Sequence, residues 1–312
     1  MKVLKSSIMV FAVMLGISGM FTGCGTKQDN TSSTPSTAQT DSSKSGTKDD
    51  STSTGSGASG KITAAGSSAL QPLADSAAKE FMTKNKDAKI QVQGGGSGTG
   101  LTQVSGGQVD IGNSDIYAKE KLAQDKASEL VDHKVCVVGF ATVVNQKVKV
   151  NSLTKQQVID IFTGKITDWK DVGGDAGKIV IINRPKSSGT RATFKKYALG
   201  GAEEAEGKAL TEDASGTVRK TVADTEGSIS YLAFSYVDST VKALKYDDVE
   251  PTADNVKTGK YPIWSYEHMY TKGEAKGLAK AFIDYMTSDE FKPTIITKGY
   301  IPNSEMQTKR ED

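Results

Sequence analysis

Three times in this chain a β-branched run ends in a glycine–serine turn that leads straight into a helical pattern. Ile62-Thr63-Ala64 runs into Gly66-Ser67-Ser68, and Leu70, Leu73, Ala77 and Phe81 then mark an apolar helical stripe. Ile90-Gln91-Val92 runs into Gly94-Gly95-Gly96-Ser97-Gly98-Thr99-Gly100, with Leu101 and Val104 opening the helix behind it. Ile179 to Ile182 runs into Arg184-Pro185-Lys186-Ser187-Ser188-Gly189-Thr190-Arg191, followed by Phe194, Tyr197 and Ala198 at helical spacing. Ser67 or Ser68 is expected to cap the first helix, with Pro72 in its first turn, where a missing N–H costs little. Alternating strands and helices predict an α/β architecture. A strand, a glycine turn and a helix start also aim several N–H groups and hydroxyls at one point near the positive end of the helix dipole, which suits an oxyanion.

Further elements fill the pattern. Val109 to Gly112 reads as a strand ending at Asn113-Ser114-Asp115, and Val135 to Val144 is an apolar run long enough to cross between two units. A second unit follows, with a helix near Lys155–Phe162, the Ile179–Ile182 strand and the helix after Thr190. Residues 217–237 read as a helix and a glycine loop, Tyr261–Tyr270 as a return strand, and Gly277–Met286 as a helix. Two units joined by two crossings predict a hinged pair enclosing a cleft.

The first 60 residues stand apart. Lys2 and Lys5 precede an apolar run from Ile8 to Phe21, too short for the roughly 20 residues of a spanning helix, so it reads as a secretory signal. Thr22-Gly23-Cys24 resembles a bacterial lipobox, which would make Cys24 the lipidated first residue of the mature chain. Phe21 departs from the Leu, Ile or Val usual there, and an ordinary signal peptide is the alternative. Residues 25–60 hold no Val, Ile, Leu, Met or aromatic residue, and 23 of the 36 are Ser, Thr or Gly, so they cannot order themselves by burial. As a coil they would span about 30–36 Å, a tether between anchor and folded body. Beyond Cys24 only Cys136 remains, inside an apolar run, where it reads as a small buried hydrophobe with no disulfide or zinc role.

Lys and Arg total 39 against 37 Asp and Glu, so no global field points to nucleic acid, and anion recognition has to be local. Four loops at strand ends or helix starts could meet in the cleft: Ser67 to Leu70, Gly96 to Gly98, Asn113 to Asp115 and Arg184 to Arg191. A Gly-Ser turn alone is only a turn; four loops with one geometry and complementary donors make a site. An enzyme is disfavoured. Nothing places either histidine, His133 or His268, beside a nucleophile, no Gly-x-Ser-x-Gly elbow occurs, and no cluster suits a metal or cofactor. Gly55 to Lys61 has P-loop spacing, but Ile62 stands where Ser or Thr is needed.

Over residues 61–304 the chain resembles the phosphate-binding proteins of Pst-type ABC importers. The resemblance lies in Gly66 to Pro72, Gly95 to Gly100, Val109 to Asp115, the run Asp160-Ile161-Phe162-Thr163-Gly164-Lys165-Ile166-Thr167-Asp168-Trp169, Arg184 to Arg191, and Gly299-Tyr300-Ile301-Pro302. It implies a two-lobed, type II periplasmic-binding-protein-like α/β fold with two crossing strands and a central cleft. The expected organisation is a signal peptide over 1–23, anchor and linker over 24–60, one lobe from 61–142 and 266–312, and a second from 143–265.

The same resemblance implies roles at the site. Ala69 and Leu70 would give backbone N–H groups, with Ser67 or Ser68 nearby, and Ser97 a hydroxyl and N–H. Ser188, Gly189 and Thr190 would offer donors at a helix start, and Arg184 its rigid fork. Asp115 would accept the proton that phosphate keeps at neutral pH; sulfate, having none, would meet a bare carboxylate. Family members commonly carry an acid two places after the arginine, where this chain has Lys186. Either another carboxylate steadies Arg184 or the pocket is more positive than usual, and Arg191 is a further positive candidate. The partners implied are phosphate and the permease and ATPase subunits of an importer, for a lipid-anchored, extracytoplasmic monomer. Rival readings are a binding protein for sulfate or molybdate, and an adhesion or sensor protein with a vestigial cleft.

Overall fold

The computed structural model describes residues 58–209 and 213–310, so the expected signal peptide, Cys24 and most of the linker lie outside the described residues. In chain order the strands are β1 (Gly60–Gly66), β2 (Ala88–Gly95), β3 (Ile111–Ser114), β4 (Leu130–Asn145), β5 (Ser152–Leu153), β6 (Val180–Asn183), β7 (Lys208–Ala209), β8 (Ser228–Ala233), β9 (Val241–Ala243), β10 (Lys245–Tyr246) and β11 (Trp264–Lys272). The helices are α1 (Gln71–Lys84), α2 (Ser97–Ser105), α3 (Gln124–Ser128), α4 (Lys155–Phe162), α5 (Gly189–Tyr197), α6 (Ser215–Asp224), α7 (Ala253–Lys257), α8 (Gly277–Met286) and α9 (Lys292–Thr297).

One sheet runs β2-β1-β3-β11-β4-β8-β6-β7, with β9 also on β4. The crossing strand is β4. It pairs with β11 as far as Gly139, then with β8 from Phe140 and with β9 from Val143. The chain returns beside the same point, where Phe140 N–H donates to the Ile263 carbonyl at 2.9 Å and Trp264 pairs with Gly139. The change of partner falls between 139 and 140 and again near 263, two to three residues before the expected boundaries at 142/143 and 265/266. Ordered contacts also begin slightly early, since Ala58 N–H already bonds Asn85 Oδ1 and Gly60 opens β1.

Local differences from the sequence expectations have physical causes. Neither Ser67 nor Ser68 sits at the N-cap of α1. Leu70 does, with its N–H donated to Ser67 Oγ at 3.0 Å, so the serine closes the turn before the helix instead. Helix α2 starts at Ser97, inside the glycine loop, because its glycines pack as helical residues against β1 and β3. A Cβ on Gly100 would lie 2.7 Å from Gly66 Cα and 2.8 Å from the Asn113 carbonyl. Strand β8 was not foreseen. Ser228 and Ser230 alternate with Ile229 and Tyr231, yet all six residues are buried, so the polar positions mark no solvent face. Its serines are accommodated by bonds from Ser228 Oγ to the Val222 carbonyl and from Ser230 Oγ to the Ile182 carbonyl, each 2.9 Å.

The Asp160–Trp169 run packs the helix that carries the third glycine loop. Phe162 ends α4 and meets Phe194 of α5 edge-on at 5.0 Å, and Phe194 stacks on Tyr231 of β8 at 4.2 Å. Trp169 Nε1 donates to the Gly227 carbonyl at 3.0 Å. At the other end of α5, the Arg310 guanidinium lies 3.4 Å from the Tyr197 ring centre and 3.9 Å from that of Trp264, and it donates to the carbonyls of Pro262 and Trp264. Cys136 is free and fully buried. Because Phe194 is itself fully buried, Phe194→Ala should lower stability by about 3–5 kcal/mol, read as a shift in urea midpoint; an unchanged midpoint would mean that α5 is not held by this ring cluster.

Candidate functional site

Arg184 follows β6 directly and is 1% exposed, so its guanidinium must be paired. The partner is Asp213, two residues before α6: Asp213 Oδ1 accepts from Nε at 2.8 Å and from Nη2 at 2.5 Å. Nη2 also reaches Ser68 Oγ and Ser215 Oγ, each at 3.1 Å, and those hydroxyls are 3.0 Å from one another. The remaining nitrogen, Nη1, is buried with no partner. From below, Arg191 Nη1 donates to the Arg184 carbonyl at 2.5 Å while Nη2 pairs with the buried Glu204 at 3.3 Å. Arg191 thus braces the loop.

Asp115, just past β3, is 2% exposed. Its N–H donates to Ser97 Oγ at 2.9 Å, and its Oδ2 accepts from Thr190 Oγ1 at 2.9 Å. Oδ1 is buried and unpartnered. Burial pushes the Asp115 carboxyl above its ordinary value and the Asp213 charge adds to this, while the hydroxyls of Ser67 and Thr190 and the Arg184 charge oppose it. The site therefore holds an unmatched donor, Arg184 Nη1, within electrostatic reach of an unmatched acceptor on Asp115. A ligand with anionic oxygens and one proton would satisfy both.

Three helix starts converge around these groups. Gly98 N–H of α2 donates to the Ser187 carbonyl at 2.9 Å, ahead of α5. Ser188 caps α5, its Oγ accepting from Arg191 N–H at 3.2 Å. The N–H groups of Gly189 and Thr190 fall in the first turn of α5, where no intrahelical acceptor exists. Ser67 N–H bonds the Asn113 carbonyl at 2.9 Å, which sets the turn before α1 beside β3.

All the residues expected at the site come together: Ser67, Ser68, Ala69, Leu70, Ser97, Asp115, Arg184, Ser188, Gly189 and Thr190 are each buried in one locality. Some of their donors are already engaged. Leu70 N–H is held by Ser67 Oγ and Ser188 N–H by the Pro185 carbonyl, so neither is free for a ligand. Lys186 is exposed. The question that it raised is answered by Asp213, the carboxylate that steadies Arg184. Sequence reasoning missed Asp213 because 29 residues separate the pair, and an Asp two places before a helix reads as a turn residue. It also missed Glu267, a fully buried acid inside the apolar return strand. Among the described residues no cluster of His, Cys, Asp or Glu could hold a metal ion.

The closest approach across the site is at Gly189, where an added Cβ would strike Ser97 Oγ and lie 2.7 Å from Ser97 Cβ and 3.0 Å from Asp115 Cβ. Gly189→Ala should therefore push α5 away from α2, with a stability loss of about 1–3 kcal/mol by chemical denaturation. A variant as stable as the parent would show that the two helix starts do not meet this closely in solution. Asp213→Ala removes one partner of a buried ion pair and should cost more, about 3–5 kcal/mol by the same measurement.

Comparison with known proteins bears on this geometry. Residues 51–290 match the model of a PBP superfamily domain. The phosphate-binding protein PstS of Bacillus subtilis is 58% identical over 245 residues, 78% of this chain and 81% of the relative. A Clostridium perfringens protein solved with bound phosphate, described as a phosphate ABC transporter substrate-binding protein, superposes with a TM-score of 0.72 at 31% identity, covering 78% of this chain and 99% of that one. An ABC-type phosphate transport receptor from Vibrio cholerae superposes with a TM-score of 0.62 at 28% identity, covering 78% and 100%. The two-lobed α/β architecture, the crossing strands and these matches agree, and the chain belongs to the PBP superfamily and, within it, to the family of the phosphate-binding protein PstS.

Proposed function

We propose that this chain binds inorganic phosphate outside the cytoplasm and delivers it to the membrane permease of an ABC importer. The observation that carries this reading is the buried pairing of unmatched groups: one Arg184 nitrogen and one Asp115 oxygen, with free helix-start N–H groups around them. Arg184 Nη1, the N–H groups of Ala69, Ser97, Gly189 and Thr190 and the hydroxyl of Ser97 hold the anionic oxygens. Asp115 accepts the P–OH proton. Identity to the Bacillus subtilis PstS supports the same ligand.

Ser67 to Leu70, Ser97 and Asp115 belong to the lobe on the β11 side of the change of partner, before 140 and after 263, and Arg184 to Thr190 to the lobe between those points. Phosphate then bridges the lobes, and the closed form is what the permease and its ATPase recognise. Cys24 carries a lipid that anchors a monomer to the outer face of the cell membrane through the serine-rich tether. The function is binding rather than turnover.

Calorimetry at neutral pH with phosphate, sulfate and molybdate tests this reading. Phosphate should bind far more tightly than sulfate, and Asp115→Asn should weaken phosphate by about 10- to 100-fold. Equal affinity for phosphate and sulfate would remove Asp115 from its role. Because the Asp115 value is raised, its ionised, proton-accepting form is lost as pH falls through a value above the ordinary carboxylate one. Sulfate should begin to compete there, and competition that stays constant with pH would contradict the assignment. Cys24→Ser in the full chain should abolish incorporation of labelled palmitate in the producing bacterium; retained label would refute the anchor.

A further inference from the structure

Glu267 lies on β11 opposite Cys136 of β4 and is fully buried. No donor reaches either of its carboxyl oxygens with hydrogen-bonding geometry. β11 runs antiparallel to β3 with His268 opposite Ser114, so Glu267 and Asp115 sit side by side one residue beyond that pair, with the Ser67 hydroxyl also facing Glu267. An ionised carboxylate only accepts, so a charged Glu267 would stand unsatisfied beside a second carboxylate; the neutral acid has an O–H to donate. Burial, then the Asp115 charge, then a hydrogen bond to Asp115 push the Glu267 carboxyl well above its ordinary range.

The surroundings decide which of the two acids keeps the proton. Asp115 has the Thr190 hydroxyl and the Arg184 charge in favour of its ionised form, and Glu267 has neither. The other titratable groups facing Glu267 are the Cys136 thiol and the Tyr300 phenol, both pushed up chiefly by burial. His268, next along β11, is paired with Asp132. On α5, Arg191 is held by Glu204, Lys195 by Glu203 and Lys196 by Glu120. None of these cations is available to Glu267.

We propose that Glu267 is a positioning residue of the site: it stays protonated and donates a hydrogen bond to the Asp115 carboxylate, holding Asp115 as the ionised member of the pair and aiming it at the ligand's proton. This rests on the reading of Asp115 as the proton acceptor for phosphate. An ionised carboxylate has about four acceptor positions, and Thr190 uses one, so Glu267 and the ligand can both be served. The two acids then titrate as a coupled pair that holds a single proton at neutral pH.

Two measurements on the ligand-free protein and its complex test the proposal. A folded-state value raised above the unfolded one means that the folded protein binds the extra proton, so wild-type stability falls as pH rises from the ordinary carboxylate range toward the folded value. Glu267→Gln has no such proton. Its denaturation midpoint relative to wild type should rise between about pH 5 and about pH 8, and a difference that is flat with pH overturns the proposal. In calorimetry, Glu267→Gln should keep phosphate affinity within about threefold, because the amide N–H also donates, whereas Glu267→Met should lose about tenfold. Glu267→Met should also let sulfate compete at higher pH than in wild type. A Met variant with the wild-type preference for phosphate over sulfate overturns the proposal, as does a Gln variant impaired as badly as the Met one. Wild-type protein that fails to bind phosphate would strike the functional reading alone, because the stability comparison needs no ligand and decides the protonation of Glu267 separately.

Discussion

The buried pair of Arg184 and Asp213 is the interaction on which the site depends. A guanidinium at 1% exposure is tolerable only when it is matched in charge and in hydrogen bonds, and Asp213 supplies both through one oxygen. The same pair ties the loop after β6 to the start of α6, and through Ser68 and Ser215 it reaches the turn before α1. Removing Asp213 would leave more than a weaker contact. It would leave a charge without a partner, and the loop that carries Ser188, Gly189 and Thr190 would lose its fixed end.

Because Asp213 cancels the charge of Arg184, the site attracts an anion mainly through oriented dipoles rather than net charge. Three helix starts face one locality, and their first-turn N–H groups have no acceptor inside the helix. Dipoles of this kind are short-ranged, so the loops must meet closely. Gly98 bonding Ser187, Thr190 bonding Asp115 and the contact of Gly189 with Ser97 are that closeness made concrete. Directional N–H groups also discriminate by geometry, and the Asp115 carboxylate discriminates by proton content.

Much of this was legible in the sequence, and the limits have physical reasons. The strand–glycine turn–helix units are local, so β1, β2, β6, α1 and α5 could be read from spacing, and the length of the 135–144 run announced a crossing strand. Arg184 could be named because it opens such a turn, and Asp115 because it ends a strand and the family resemblance implies its role. Asp213 and Glu267 could not. Each acts through a partner far away in the chain, and nothing in the local pattern separates a buried acid from a turn or strand residue. Strand β8 escaped for a related reason: its serines are buried by bonds such as that from Ser230 to the distant Ile182 carbonyl, which the local pattern does not show. Spacing reports which residues share an element, whereas the pairing of charges depends on where the elements meet.

Glu267 joins the chemistry of the site to the path of the chain. It lies three residues beyond Trp264, where β11 takes over from the second crossing, and Arg310 clamps Trp264 against Tyr197 at the far end of α5. The near end of α5 supplies Gly189 and Thr190, and Thr190 donates to the carboxylate next to Glu267. Helix α5 is therefore tied to β11 at both ends, through Asp115 at the site and through Arg310 at the crossing. A displacement of α5 relative to β11 would have to alter the Thr190–Asp115 bond and the stacking at Arg310 together. The protonation of the acid pair is thereby coupled to the fit between the two halves of the sheet, since the Thr190 hydroxyl and the Arg184 charge favour the ionised form of Asp115 from the other side.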